Sequence, residues 1–267
     1  MPEPPSQNLS AAGHAPQHTH AGVSPEAALA AVSDVQGWMT EAQARRLHAR
    51  AGELAPGATI TEIGSYHGRS AIVVALAAHP EVEVVAIDPH AGNDRGPQQI
   101  HGSVDEGDAD NEAFRANLTA AGVQERVRHV RRPSQEALDA VQGPIEMLYV
   151  DGAHRYAPAR DDIRGWGRRV PPGGVLLIHD SFSSIGVTLA ILRLLAFGGR
   201  FRYVGRSGSL AEYRREDLAS GARVGSALGQ LAELPWFARN VAIKVALVLK
   251  WRRAARLLGH DSPHWPY

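Results

Sequence analysis

Short apolar runs alternate with helical segments through the middle of the chain. Five runs rich in β-branched and aliphatic residues predict strands: Thr59–Ile63, Val82–Ile87, Val127–Val130, Met147–Val150 and Val175–Ile178. Between them lie segments with helical character: Ser70–Ala78, Glu112–Ala121, Ser134–Val141 and Ala157–Trp166. Strand-like runs that alternate with helices indicate βαβ units and a mainly parallel sheet. The pattern therefore predicts a doubly wound α/β fold.

The pattern changes after the fifth run. A predicted helix, Ile185–Phe197, is followed by two apolar runs, Phe201–Val204 and Leu210–Tyr213, which Gly205-Arg206-Ser207-Gly208 joins. Two such runs separated by a glycine-containing turn predict a hairpin, which places an antiparallel strand at one edge of the sheet. The complete sheet then has about seven strands and is Rossmann-like, with helical additions at both ends.

Four regions follow from these boundaries. Residues 1–24 lack an apolar period and are predicted to be disordered. Residues 25–56 are predicted to form two helices, one starting with Ser24 and Pro25 and one running from Glu41 to Leu54 after Thr40 as N-cap. The α/β domain covers 57–216, and 217–267 form a helical extension. Its segment 234–258 is apolar but contains several Arg and Lys residues. The pattern is compatible with a helix packed on the core, a homodimer contact or peripheral membrane contact.

Composition narrows the possible functions. Lys plus Arg and Asp plus Glu are equal at 28 each among 267 residues, so no bulk charge recruits nucleic acid. The absence of cysteine excludes disulfides, thiolate catalysis and cysteine zinc sites. Neither a signal peptide nor an apolar run long enough to span a membrane is recognisable. We therefore expect a cytoplasmic protein.

The ends of the first two strands suggest a nucleoside site. Gly64 and Gly68 allow a tight loop after the first strand, and Ser70 opens a helix whose N-terminus favours a carboxylate. Asp88 ends the second strand, where it can accept hydrogen bonds from both ribose hydroxyls. The G-x-x-x-G spacing differs from the G-x-G-x-x-G of dinucleotide sites, and Glu62 would repel a pyrophosphate. These charges favour S-adenosylmethionine, which carries an ammonium, a sulfonium and a carboxylate.

Two further strand ends carry candidate catalytic groups. Asp151 follows the fourth strand and Asp180 the fifth, and ligands of open parallel sheets bind outside these strand ends. Paired carboxylates with open positions suit Mg²⁺, which can hold a substrate hydroxyl and lower its pKa. His154, on the turn after Asp151, is a candidate general base for that hydroxyl.

Together these residues resemble the class I S-adenosylmethionine-dependent methyltransferases, over roughly Ile60 to Tyr213. The D-G-x-H-x-Y run from Asp151 to Tyr156, followed by Asp162 and Trp166, resembles the metal-dependent O-methyltransferases that act on macrolide sugars and other glycosides, and the related cephamycin-biosynthesis enzyme. The resemblance implies that the metal lies on Asp151 and Asp180 and that His154 is the base. It also implies a cofactor site that comprises Glu62, Gly64, Ser65, Gly68, Ser70, Asp88, Ser134 near the adenine, and Asp151.

His179 departs from that pattern, because related enzymes often carry an acid before the second aspartate. Mn²⁺, Fe²⁺ and Zn²⁺ accept an imidazole ligand better than Mg²⁺ does. His179 is therefore either a third metal ligand beside Asp151 and Asp180, with Mg²⁺ or Mn²⁺ bound, or a group that supports the ligands or contacts the substrate.

Several functions remain open at this point. The leading hypothesis is methylation of a hydroxyl on a sugar, glycoside or polysaccharide. The alternatives are a phenolic or other natural-product acceptor and a non-catalytic nucleoside-binding scaffold. An NAD oxidoreductase is disfavoured by the missing third glycine. The long polar stretch from His90 to Asn111 is predicted to be a lid over the substrate.

Overall fold

A seven-stranded sheet forms the centre of the protein. The computed structural model describes residues 22–92 and 101–262. The strands follow the spatial order β3-β2-β1-β4-β5-β7-β6, with β1 to β5 parallel and β7 antiparallel to both β5 and β6. This confirms the predicted Rossmann-like sheet with its antiparallel edge hairpin. The strands are β1 Thr59–Ile63, β2 Glu83–Ile87, β3 Val127–Val130, β4 Met147–Val150, β5 Val175–Ile178, β6 Phe201–Ser207 and β7 Leu210–Arg215.

Helices cover both faces of this sheet. Because successive side chains of a strand point to opposite faces, Val84 joins one apolar core and Val85 the other. Helices α2, α3 and α4 pack on the first face, and α5 and α6 on the second. The helices are α1 Pro25–Ala31, α2 Glu41–Gly52, α3 Arg69–Ala77, α4 Val104–Ala120, α5 Tyr156–Gly167, α6 Ile185–Ile191, α7 Ser220–Leu231, α8 Leu234–Val248 and α9 Arg252–Leu257.

Both predicted N-terminal caps are present. Ser24 Oγ accepts a hydrogen bond from Ala27 N at 3.3 Å, which starts α1. At α2, Thr40 Oγ1 accepts from Gln43 N at 3.4 Å while Gln43 Oε1 accepts from Thr40 N at 2.8 Å. This reciprocal capping box satisfies two backbone donors that the first turn of a helix leaves without partners. The α2 helix ends at Gly52, two residues before the predicted end.

Three local predictions need correction. The helix predicted over Ser134–Val141 is only a 3₁₀ turn at 134–136, because the Ser134 and Gln135 side chains bond to Asp162 instead of supporting a helix. Helix α4 begins at Val104, so the part of the predicted lid from Val104 to Asn111 is helical. Residues 93–100 of that stretch, like residues 1–21 of the predicted tail, lie outside the described part. The hairpin turn is tighter than predicted, since β6 extends to Ser207.

The C-terminal extension packs at the edge of the sheet where the parallel strands have their carboxyl ends. Helix α8 buries Asn240, Ile243 and Ala246. Asn240 Nδ2 donates to Phe182 O at 3.3 Å, just beyond β5. Of the three interpretations of 234–258, packing on the core therefore describes α8. Among the helices of the described residues, none is long and apolar enough to cross a membrane.

Candidate active site

The glycine loop after β1 lies directly against the loop after β4. Gly64 has a φ of 84°, in the left-handed region, and a Cβ there would lie 2.3 Å from the backbone oxygen of Asp151. Gly68, with a φ of 85°, is the N-cap of α3. The two glycines therefore give the loop both its turn and its close approach to β4.

Asp88 holds this loop in place. Its Oδ2 accepts hydrogen bonds from the backbone nitrogens of Ser65 at 2.8 Å and Tyr66 at 2.9 Å. Its Oδ1 accepts one from His90 N at 2.7 Å. A carboxylate oxygen has two lone pairs, so Oδ1 retains one acceptor position for a ligand. The geometry thus gives Asp88 a structural role in addition to the ribose contact that the sequence predicts.

Glu62 lies beneath the loop, 1% exposed in the middle of the sheet. Burial raises the pKa of its carboxyl to about 8, although the Ser70 hydroxyl donates a hydrogen bond to it. Its Oε2 is buried and has no hydrogen-bond partner among the described residues. Ser65 and Ser70, between Glu62 and the cavity, line the cavity wall. Glu62 is therefore a neutral acid at neutral pH when no cation lies nearby.

We predict that Glu62 makes the stability of the ligand-free protein depend on pH. The folded pKa, about 8, lies above the ordinary value of 4.5. The free energy of unfolding is therefore highest below pH 4.5, falls as the pH rises towards 8 because only the unfolded chain ionises Glu62 in that range, and levels off above 8. Glu62→Gln removes this dependence, and at pH 9 it should raise the free energy of unfolding relative to wild type by on the order of 3–5 kcal/mol. Denaturant titrations from pH 5 to 9 measure this difference.

Glu83→Gln, at an exposed site on β2, is the control. If the free energy of unfolding of Glu62→Gln changed with pH as steeply as that of wild type, the prediction would be contradicted.

Two aspartates and two histidines meet beyond β4 and β5. The Asp180 Oδ2 atom lies 2.9 Å from His154 Nε2, and Asp151 Oδ1 lies 3.0 Å from His179 Nδ1. His179 Nδ1 is also 3.9 Å from Asp180 Oδ2. The structure thus brings together the predicted base and all three predicted metal ligands. Asp180 has a φ of 55°, and its side chain contacts His154 rather than capping the following helix.

The charges in this cluster are mutually stabilising. Burial opposes a charged His154, but the neighbouring Asp180 raises its pKa to about 9. Burial likewise opposes a charged Asp180, yet His154 keeps the pKa of that carboxyl well below its usual range. For His179, Asp151 outweighs the effect of burial and raises the pKa. In the arrangement seen here, each imidazole is paired with one carboxylate: His154 with Asp180 and His179 with Asp151.

Gln43 is a buried member of the site that the sequence analysis missed. Its Oε1 accepts from Thr40 N, which fixes the orientation of the amide, and lies 3.4 Å from His179 Nε2. Its Nε2 donates to Ser209 Oγ at 3.0 Å. His179 Nε2 must then carry the donor proton, which leaves Nδ1 facing the two carboxylates. The T-x-x-Q capping signature at Thr40–Gln43 would have revealed a special role for Gln43 but not its contact with His179.

A single cavity of about 1010 Å³ connects the glycine loop with the Asp–His cluster of Asp151, His154, His179 and Asp180. Ser134 lies on its wall and donates a hydrogen bond to Asp162 Oδ1 at 2.5 Å. Trp38, stacked on Tyr66 with 5.2 Å between ring centroids, and Lys244 of α8 are wall residues that the sequence analysis did not single out. His67 instead pairs with Asp110 at 2.9 Å, and Trp166 is buried between α5 and the sheet.

The segment that builds this site matches a known family. Residues 61–181 fit the family model described as a methyltransferase domain. They include most of β1, all of β2 to β5, the glycine loop, Asp88 and the cluster of Asp151, His154, His179 and Asp180. This segment, which is less than half of the chain, is therefore similar to a methyltransferase domain.

Solved structures share the fold at low sequence identity. The cofactor-bound Rv0187 protein from MTB is 23% identical over 74% of this chain and 92% of that one, with a TM-score of 0.51. The O-methyltransferase TomG from Streptomyces achromogenes, involved in tomaymycin synthesis and solved with SAM, is 20% identical over 72% and 88%, with a TM-score of 0.51. The O-methyltransferase NovP is 15% identical over 66% and 80%, also with a TM-score of 0.51.

Proposed function

We propose that the protein transfers the methyl group of S-adenosylmethionine to a hydroxyl of a sugar, glycoside or polysaccharide. The observation that carries the proposal is the single cavity shared by the glycine loop and the Asp–His cluster. Such a cavity holds both reactants side by side, which supplies much of the catalysis of a two-substrate reaction. The SAM complex of TomG, which has the same fold, supports the choice of cofactor.

The residues around the glycine loop fit this cofactor. The unpartnered Glu62 Oε2 favours a nearby ammonium group, which would allow the carboxyl to ionise. We assign Glu62, Gly64, Ser65, Gly68 and Ser70 to the methionine portion. Asp88 Oδ1 is assigned to the ribose, Ser134 to the adenine and Asp151 to the inner wall. When bound, S-adenosylmethionine supplies an electrophilic methyl carbon on a sulfonium.

His154 is the proposed general base in its neutral form, and a metal ion held by Asp180 would offset the negative charge that otherwise raises the pKa of this imidazole to about 9. As the acceptor oxygen forms its bond to the methyl carbon and the carbon–sulfur bond breaks, the hydroxyl proton passes to the imidazole of His154. Asp180 Oδ2, 2.9 Å from His154 Nε2, stabilises the resulting imidazolium. The thioether product, S-adenosylhomocysteine, leaves without charge on sulfur, so charge and atoms balance.

Asp151, His179 and Asp180 are the proposed ligands of Mg²⁺ or Mn²⁺. His179 Nδ1 lies 3.0 Å from Asp151 Oδ1 and 3.9 Å from Asp180 Oδ2, so the three side chains would offer carboxylate oxygens and an imidazole nitrogen to one ion. Asp180 Oδ1 is buried with no hydrogen-bond partner in the described part, and Gln43 turns His179 Nδ1 toward both carboxylates. Among the described residues, however, no group of three or more His, Asp or Glu side chains is placed so that it could hold a metal ion. The metal, when bound, would lower the pKa of the acceptor hydroxyl.

A transfer assay tests the function. Purified protein is incubated with methyl-labelled S-adenosylmethionine and a panel of glycosides and phenols, with and without a chelator. We expect label in a methyl ether of at least one glycoside, a lower rate with chelator, and recovery on addition of Mn²⁺. Label that appears only in phenols would contradict the glycoside acceptor, and an unchanged rate with chelator would contradict the metal.

A phenolic or other natural-product acceptor is the second candidate. The aromatic pair Trp38 and Tyr66 on the cavity wall favours it, because stacked rings offer a flat apolar surface to a planar acceptor. The same panel distinguishes the two. Homodimer formation, peripheral membrane contact through 234–258 and a cytoplasmic location stay predictions.

A further inference from the structure

The cavity continues past the reacting groups along one face of α8. Its wall there consists of Val241, Val245, Val248 and Leu249, and Ile185 at the start of α6 also lines it. This volume, about 1010 Å³ in all, lies at the upper end of the range of about 300–1,000 Å³ for small-molecule sites. The cavity therefore has room for a second molecule beside a nucleoside cofactor.

The apolar side chains of this wall are open to the cavity. Val245 is 51% exposed, Val248 60% and Ile185 58%, whereas the opposite face of α8 is buried on the core through Asn240 and Ile243. Apolar surface left in water is unfavourable by about 25 cal/mol per Å², and contiguous exposed apolar surface commonly marks a binding site. The wall thus has the character of a ligand subsite rather than of an ordinary helix surface.

The charge of Lys244 distinguishes a polar end of this subsite from an apolar end. Lys244, on the same face of α8, donates to Ser183 O at 2.9 Å and adds positive charge near Asp180. The polar end of the wall therefore lies at the Asp–His cluster, and the apolar end follows α8 away from it. From Lys244 to Leu249 the helix rises about 7.5 Å, enough for several methylene groups.

We propose that the acceptor is an amphiphilic glycoside whose hydrocarbon portion lies along Val245, Val248 and Leu249 while its hydroxyl reaches His154. This inference rests on the proposed function and specifies its substrate class. The continuity of the apolar wall with the catalytic cluster argues for part of the acceptor itself as the occupant.

Calorimetry with two simple glycosides tests the inference without requiring turnover. The probes are n-octyl β-D-glucopyranoside, kept below its micelle concentration, and methyl β-D-glucopyranoside. We expect the octyl glycoside to bind at least about tenfold more tightly, because its chain is removed from water. Val248→Ser should lose most of that difference. The matched control is Val224→Ser on α7, where the valine is 59% exposed, against 60% for Val248, and lies outside the cavity wall.

Equal affinity for the two glycosides would overturn the inference, as would equal effects of Val248→Ser and Val224→Ser. Co-sedimentation with phosphatidylglycerol vesicles covers the other occupant: binding to vesicles without binding of monomeric octyl glycoside would make α8 a membrane contact and overturn the proposal. Titration with S-adenosylhomocysteine distinguishes failure of the proposed function from failure of the apolar subsite. If the octyl glycoside binds and S-adenosylhomocysteine does not, the proposed function fails while the apolar subsite stands.

Discussion

Replacing His154 with alanine is expected to lower kcat by about 10²–10⁴-fold, the usual contribution of a positioned general base. The imidazole is the group placed to take the proton of the acceptor hydroxyl, and Asp180 lies 2.9 Å from it to stabilise the charge. Because His154 sits at the cluster rather than in the glycine loop, binding of S-adenosylhomocysteine should change less than about twofold in the same variant. Initial-rate kinetics and calorimetry together measure the two effects.

His48→Ala is the matched control for this experiment. His48 lies on α2 with its Nε2 atom 2.7 Å from Val23 O and is not among the residues that line the cavity, so its loss should leave kcat within about threefold of wild type. Unchanged turnover in His154→Ala would contradict the role of base. A loss of S-adenosylhomocysteine binding as large as the loss of kcat would mean that His154 only supports the structure.

Gly64→Ala should abolish detectable S-adenosylhomocysteine binding and lower the free energy of unfolding by more than about 3 kcal/mol. The new Cβ would lie 2.3 Å from Asp151 O, a contact between a methyl group and a backbone oxygen that no side-chain rotation relieves. The loop after β1 and the loop after β4 must then separate, and both line the cavity. Denaturant titration and calorimetry on the purified variant measure the two losses.

Gly57→Ala isolates the backbone strain from this contact. Gly57 has a φ of 79°, close to the 84° of Gly64, but a Cβ there meets nothing within 4 Å. Its substitution should cost only about 1–2 kcal/mol, the penalty of a left-handed residue, and leave cofactor binding intact. Equal destabilisation of the two variants would show that loop contact with Asp151 is not what requires glycine.

The sheet was predictable from the sequence because four of its parallel strands, β1, β2, β4 and β5, are almost entirely buried and appear as short apolar runs. Four of the five predicted parallel strands have the observed ends, and β2 begins one residue later than predicted. The segment 134–141 looked helical by composition. Whether this segment forms a helix depends on Asp162, a hydrogen-bond partner in α5 that a local sequence pattern cannot reveal.

The candidate site was predictable only in part. Parallel topology brings Asp151 and Asp180 to one edge of the sheet, so their proximity followed from the order of strands. Which carboxylate pairs with which histidine depends on side-chain packing across that edge. Gln43 and Lys244 come from helices on either side of the α/β domain, and only the folded chain places them beside His179 and Ser183.

The measurement that tests the central claim most directly is a calorimetric titration of the purified chain with S-adenosylhomocysteine, compared with NAD. The account predicts saturable one-to-one binding of S-adenosylhomocysteine, lost in Gly64→Ala and retained in Gly57→Ala, and no binding of NAD. Saturable binding of NAD, or the absence of S-adenosylhomocysteine binding to folded protein, would contradict it.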